Sequence, residues 1–143
     1  MRIGKLLDSK GHDVATVAPD ATGWEVLAEL AEHRVGALVV SQDEVHMDGI
    51  VSERDIVRQL HTHGAQVLDG PVSALMVAEV LTAGPDDEVE SLMAVMTTHR
   101  VRHVPVVEDG RLVGIVSIGD VVKHRVDSLE DDNRALHNYI NAR

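Results

Sequence analysis

The segment Gly114-Ile115-Val116-Ser117-Ile118-Gly119-Asp120 restates Gly49-Ile50-Val51-Ser52-Glu53-Arg54-Asp55, and no other feature limits the possible folds so strongly. In both copies a β-branched run leads into a serine, and an aspartate follows three residues later. The match continues upstream, His33-Arg34-Val35 against His99-Arg100-Val101 and Pro19-Asp20 against Pro85-Asp86. The offset is 66 residues up to Val40/Val106 and 65 after it, so one residue drops out of the loop before Gly114. The chain is an internal duplication, and each half has to be read against the other.

Taken in order, residues 3–10 predict a short helix ended by Gly11, and Val14–Ala18 a short strand ended by Pro19. Thr22 offers an N-cap to a helix in which Val26, Leu27, Leu30 and Ala31 recur at helical spacing as far as His33. Val35–Val40 is a nearly continuous apolar run, the pattern of a buried strand. Gln42–Asp48 reads as a turn and Gly49–Val51 as the next strand. Ser52 opens a helix carrying Ile56, Val57 and Leu60. Each half therefore reads β-α-β-β-α.

His61–Pro71 joins the halves, with two glycines and a proline. Val72–Met76 is a short apolar helical turn resembling Ile3–Leu7. Leu81–Ala83 is expected as a strand, Val89, Leu92, Met93 and Met96 as one face of a helix, and Val104–Val107 and Leu112–Val116 as a hairpin around Glu108-Asp109-Gly110. From Asp120 to Arg143 there is neither Gly nor Pro, so the last helix runs well past the repeat. Along it Val122, Val126, Leu129, Asn133, Leu136 and Ile140 are spaced 4, 3, 4, 3 and 4 residues apart, an a/d seam that suits pairing of two protomers.

Composition removes several function classes. No apolar run approaches the roughly 18 residues of a membrane span, and the opening Met1-Arg2-Ile3-Gly4-Lys5 is too polar for a signal peptide. The absence of Cys excludes disulfides, thiolate catalysis and zinc-thiolate sites and suits a cytoplasmic protein. A formal charge of -11 argues against general nucleic-acid binding. With Trp24, Tyr139 and no Phe, any bound base has to lie between aliphatic side chains. Trp24 aligns with Glu90, a water-facing position, and so suggests a contact surface.

Ser-x-x-Asp ahead of an apolar helix is first a capping box, in which Ser52 and Ser117 bond the amides of Asp55 and Asp120 and the carboxylates reach back. The same strand-to-helix turn carries free amides and a positive dipole end suited to phosphate. Its carboxylate can also accept from both hydroxyls of a ribose. The two roles are compatible in the serine and compete in the aspartate.

Two β-α-β-β-α repeats, each ending Gly-Ile-Val-Ser-x-x-Asp, with His99-Arg100-Val101-Arg102-His103-Val104-Pro105-Val106 before the second, resemble a tandem pair of cystathionine-β-synthase (CBS) domains, a Bateman module. The likeness covers residues 3–126. It implies an α/β fold of two pseudo-symmetric repeats, 3–62 and 72–126, a linker at 63–71 and a helical tail at 127–143, with no attached enzyme domain. It implies a regulatory binder of an adenosine ligand: AMP, ADP or ATP, with NAD(H) or S-adenosylmethionine as further candidates. Ser52, Asp55, Ser117 and Asp120 become ribose and phosphate residues, and Thr16 and Thr82 lie where family members present backbone to adenine. Arg102 and His103 fall where nucleotide-sensing kinase subunits of the family place phosphate contacts; their first-repeat counterparts are Gly36 and Ala37. Arg54, matched by Gly119, is a further phosphate candidate. The resemblance also implies a homodimer and a regulated protein partner.

A structural module whose clefts stay empty and which acts through dimerisation is the rival reading. His61-Thr62-His63 lacks the further ligands of a known metal spacing and reads as linker surface. Gly114–Gly119 has Ile115 where a nucleophile elbow needs Gly. No catalytic constellation emerges.

Overall fold

The computed structural model describes residues 1–142; Arg143, the last residue of the expected tail, lies outside them. Helix α1 (Ile3–Lys10) is followed by β1 (Thr16–Val17), α2 (Gly23–His33), β2 (Ala37–Val40), β3 (Gly49–Ser52) and α3 (Glu53–His63). Two short 3₁₀ segments, Ala65–Asp69 and Val72–Ala74, lead to α4 (Val89–His99), β4 (His103–Glu108), β5 (Arg111–Ser117) and α5 (Ile118–Asn141). The linker is thus ordered turns rather than open chain, and Leu68 within it is buried.

The duplication is visible in the strand registers. Ala37 pairs with Ser52 and Val40 with Gly49, just as His103 pairs with Ser117 and Val106 with Gly114. The register slips immediately after Val106, which is where the repeat offset changes. The repeated glycines, at the start of β3 and within β5, answer to contact. A Cβ on Gly49 would stand 2.6 Å from Met76 Sδ, and one on Gly114 would stand 2.7 Å from the Leu7 methyls.

One expected strand is missing. In the first half β1 runs parallel to β2, held by Val39 N–H to Ala15 O and Ser41 N–H to Val17 O. In the second half Leu81–Ala83 forms no strand, and only Ala83 bridges to Val106. The reason is Pro105, which matches Val39 and has no N–H to give the ladder. The surviving bonds are Ala83 N–H to Pro105 O and Val107 N–H to Ala83 O.

Each repeat completes its core with a segment from beside the other. Ile3, Leu6 and Leu7 of α1 are buried with Val89, Leu92, Met96, Val104, Val116 and Val121 of the second repeat. Leu68, Val72 and Leu75, ahead of the second repeat, are buried with Val26, Leu30, Leu38, Val51 and Ile56 of the first. Chain order therefore places residues 3–10 with the first repeat, whereas packing places them with the second. This exchange binds the halves into one body, because neither core is closed without it.

Helix α5 leaves that body. Only Val121 is buried along its length, and from Leu129 onward every described residue is exposed. Trp24 is 56% exposed, and its indole N–H donates to Asp69 Oδ1 at 3.0 Å, which ties α2 to the linker while leaving the ring face in water.

Candidate functional site

Both Ser-x-x-Asp turns form the full capping box. Ser52 Oγ accepts from Asp55 N at 3.3 Å and Asp55 Oδ2 accepts from Ser52 N at 2.9 Å. Ser52 Oγ also donates to Asp55 Oδ2 at 2.8 Å. Both bonds to the carboxylate use Oδ2; among the described residues Asp55 Oδ1 has no hydrogen-bond partner. The cap and a ligand therefore need not compete for the same oxygen.

Between the repeats lies a cavity of about 650 Å³, in the size range of small-molecule sites. From the first repeat Ser52, Arg54, Asp55 and Arg58 reach it, and from the second His99, Arg100, Arg102 and His103. Ile50, Val77, Val80 and Leu81 supply aliphatic wall. Four arginines face three carboxylates here, Glu53, Asp55 and Glu79, so the cleft is locally cationic in a protein of charge -11. None of the four is in an ion pair among the described residues; the arginine pairs are Arg2–Asp86 and Arg134–Asp131, both elsewhere. Unpaired arginines beside a carboxylate favour an anionic ligand that also carries hydroxyls.

The cavity unites Ser52, Arg54, Asp55, Arg102 and His103 from the sequence-derived set. Ser117 and Asp120 form the matching turn of the other half and do not line it. Thr16 lies in β1 and Thr82 in the loop before Ala83, and neither lines it; Leu81, one residue earlier, does. Sequence reading missed Arg58 and Arg100. Arg58 was legible, since four residues after Arg54 and three after Asp55 it shares their helical face. Arg100 stands in the repeated His-Arg-Val, whose repetition by itself marks only the alignment of the halves. It caps α4 in the left-handed conformation at φ 54°, as Arg34 caps α2, so this turn belongs to both repeats.

His103 leans across the pseudo-symmetry axis toward Gly36, where a Cβ would stand 3.2 Å from its Cε1. Burial pushes its imidazole below the ordinary value. Asp120 on α5 and Glu53 on α3 pull it up, while Arg102 and Lys10 push it further down. The fold therefore favours the neutral ring, and the unfolded chain takes up the proton first as pH falls through about 6.5. Stability drops from there until the folded imidazole itself titrates. His12, held above its ordinary value by Asp8 and the Val113 carbonyl, shifts the other way, so the comparison has to be made by variant. Urea unfolding from about pH 8 to about pH 5.5 is expected to show a steeper loss in the wild type than in His103→Gln. Parallel profiles would mean that His103 titrates alike folded and unfolded.

Two halves built on one β-α-β-β-α plan, the second without its first strand, face each other across an arginine-lined cleft. The chain belongs to the CBS-domain family: the CBS domain model matches residues 9–62 and 72–127. The CBS domain-containing protein YhcV of Bacillus subtilis is 33% identical over 138 residues, 95% of each chain. A CBS-domain-containing protein of Agrobacterium tumefaciens has a crystal structure that matches at 44% identity with a TM-score of 0.84, covering 87% of this chain and 99% of that one. A CBS domain protein from Pyrobaculum aerophilum, solved as a complex with AMP, matches at 35% identity and a TM-score of 0.73, covering 84% of this chain and 89% of that one. Among the described residues no helix is long and apolar enough to cross a membrane.

Proposed function

We propose that this chain is a regulatory module that binds an adenosine nucleotide of the AMP, ADP or ATP type in the cleft at Asp55. The observation that carries the reading is the unpartnered Asp55 Oδ1 in a cavity also lined by Arg54, Arg58, Arg100 and Arg102. A carboxylate for ribose hydroxyls and a cluster of guanidiniums for phosphate are the two things a nucleotide needs. Ile50, Val77, Val80 and Leu81 offer the aliphatic bed that a base requires where aromatic platforms are absent. The AMP complex of the Pyrobaculum aerophilum protein supports the same ligand class. The nucleotide touches both repeats, so its binding biases the angle between them. A partner protein, or the second chain of a homodimer in the cytoplasm, reads the change.

If Arg102 and His103 hold phosphate, the cleft prefers ATP to AMP, and Arg102→Ala erases that preference. Each charge-assisted bond lost is worth about 1.5–3 kcal/mol, about a tenfold or larger change in affinity. Calorimetric titration of both nucleotides into both proteins measures this directly. Equal losses for AMP and ATP would remove Arg102 from the phosphate end.

The exposed stripe of α5 favours a second function alongside the first, pairing of two chains through that helix. The two are compatible, since the stripe lies outside the residues that line the cavity.

A further inference from the structure

The two capping boxes share a geometry and differ in company. Asp55 meets only its own turn. Asp120 Oδ2 accepts from Ser117 N at 2.8 Å and from the Lys10 ammonium at 2.7 Å, and the same ammonium donates to Ile115 O at 2.6 Å. The Lys10 and Asp120 side chains are 28% and 23% exposed, so most of the pair is out of water.

The origin of the difference can be followed residue by residue. Ile3 and Gly4 donate to the carbonyls of Asp87 and Pro85, as Val72 and Ser73 donate to those of Ala21 and Pro19. Leu7 packs against Gly114 as Met76 packs against Gly49. After Met76 the chain passes directly to Val77, whose N–H donates to Ile50 O at 2.8 Å and whose carbonyl accepts from Ile50 N at 2.9 Å. After Leu7 come three extra residues, Asp8-Ser9-Lys10, before the matching Gly11. Gly11 spends its N–H on Leu7 O as the cap of α1. Ile115 O, the counterpart of Ile50 O, is left to the lysine. His12 then fastens this segment to β5 through Val113 O at 3.1 Å. The extra residues of α1 thus deliver a cation onto the carboxylate of the second repeat.

We propose that Lys10 is a built-in guard of the second Ser-x-x-Asp turn: its ammonium neutralises the Asp120 carboxylate that a ribose would need, leaving one adenosine site per chain. The count of one rests on the reading of the Asp55 cleft given above. A ribose offers two neutral hydroxyls. Asp120 Oδ1, like Asp55 Oδ1, has no hydrogen-bond partner among the described residues. The ammonium on Oδ2 neutralises the carboxylate, however, so a ribose gains there the charge-assisted bonds that unpaired Asp55 offers only if it displaces the lysine. Nothing comparable guards Asp55, because the chain there has no residue matching Lys10.

The test is calorimetric titration of AMP and of adenosine into the full chain, its Lys10→Ala and Lys10→Gln variants, and Lys10→Ala/Asp120→Ala. Gln keeps a hydrogen bond to Ile115 O and good helix propensity while removing the charge, so it serves if Ala loosens the end of α1. The expected stoichiometry is one ligand per wild-type chain, two per Lys10 variant with at least one of the two probes, and one again in the double variant. A wild type that takes two ligands, or Lys10 variants that gain none, overturns the proposal. Zero in the wild type and one in the Lys10 variants would reject the Asp55 reading and keep this one. Zero in every protein would reject both.

Discussion

Asp55→Ala is expected to weaken AMP binding at least tenfold while lowering stability by only about 1 kcal/mol. The first magnitude follows from losing charge-assisted bonds to ribose hydroxyls, about 1.5–3 kcal/mol each. The second is the ordinary worth of one helix-capping contact. It is moderated because Ser52 Oγ still accepts the amide of residue 55 after the substitution. Calorimetry with AMP and a thermal melt of the same preparation separate the two effects. Unchanged affinity with a lowered melting temperature would assign Asp55 to the cap alone. Asp120→Ala makes the informative contrast. Burial works against ionisation of this carboxyl, yet the Lys10 ammonium and the Ser117 amide outweigh it and hold it below the usual carboxylate range. Its removal should therefore act on folding and leave AMP affinity within about twofold, less than 0.5 kcal/mol. A tenfold loss of AMP affinity in Asp120→Ala would mean that the turn at Asp120 is the working one.

Much of this arrangement is written in the residues, and what is not has identifiable causes. Glycine and serine at either end of Gly-Ile-Val-Ser place a close-packed strand residue and a helix cap at fixed spacing, so both hairpins and both capping boxes are legible from the chain alone. Membership of the cores is not, because apolar spacing shows that α1 has a buried face without showing which repeat covers it. The strand at Leu81–Ala83 fails for a reason that lies on another element: Pro105 withholds a donor twenty-odd residues away. Asp55 and Asp120 read alike within the motif. They become unlike through Lys10, which is remote in sequence and enters by a lengthening of α1 that the repeat alignment treats as an end. Short-range patterns resolve local turns well, whereas partners supplied across the fold appear only once the chain has been packed.

Truncation after Asp127 is expected to weaken self-association by at least about 100-fold. Helix α5 spans 24 residues, about 36 Å. Its Val122, Val126, Leu129, Leu136 and Ile140 are between 47% and 59% exposed, a continuous apolar stripe with no cover from its own body. The charges beside that stripe specify a partner. With Val126, Asn133 and Ile140 at a positions, a parallel second copy sets Arg125 opposite Glu130, an attractive ion pair, and Asp132 opposite His137, whose ring N–H can donate to it. Asn133 at the central a position fixes that register at some loss of stability. The truncation deletes Leu129, Leu136 and Ile140, each worth about 1.5–3 kcal/mol when fully buried; even after ordering costs, the three together exceed the 2.8 kcal/mol that corresponds to a hundredfold change. Light scattering over a concentration series measures the loss, and Leu136→Asp in the full chain should reproduce most of it without shortening the helix. Arg125→Glu should weaken the pair, and Glu130→Arg added to it should restore what was lost, because only a parallel register joins those positions. A truncated chain that stays as tightly dimeric as the full one would place the interface on the body of the module and leave α5 for a different partner.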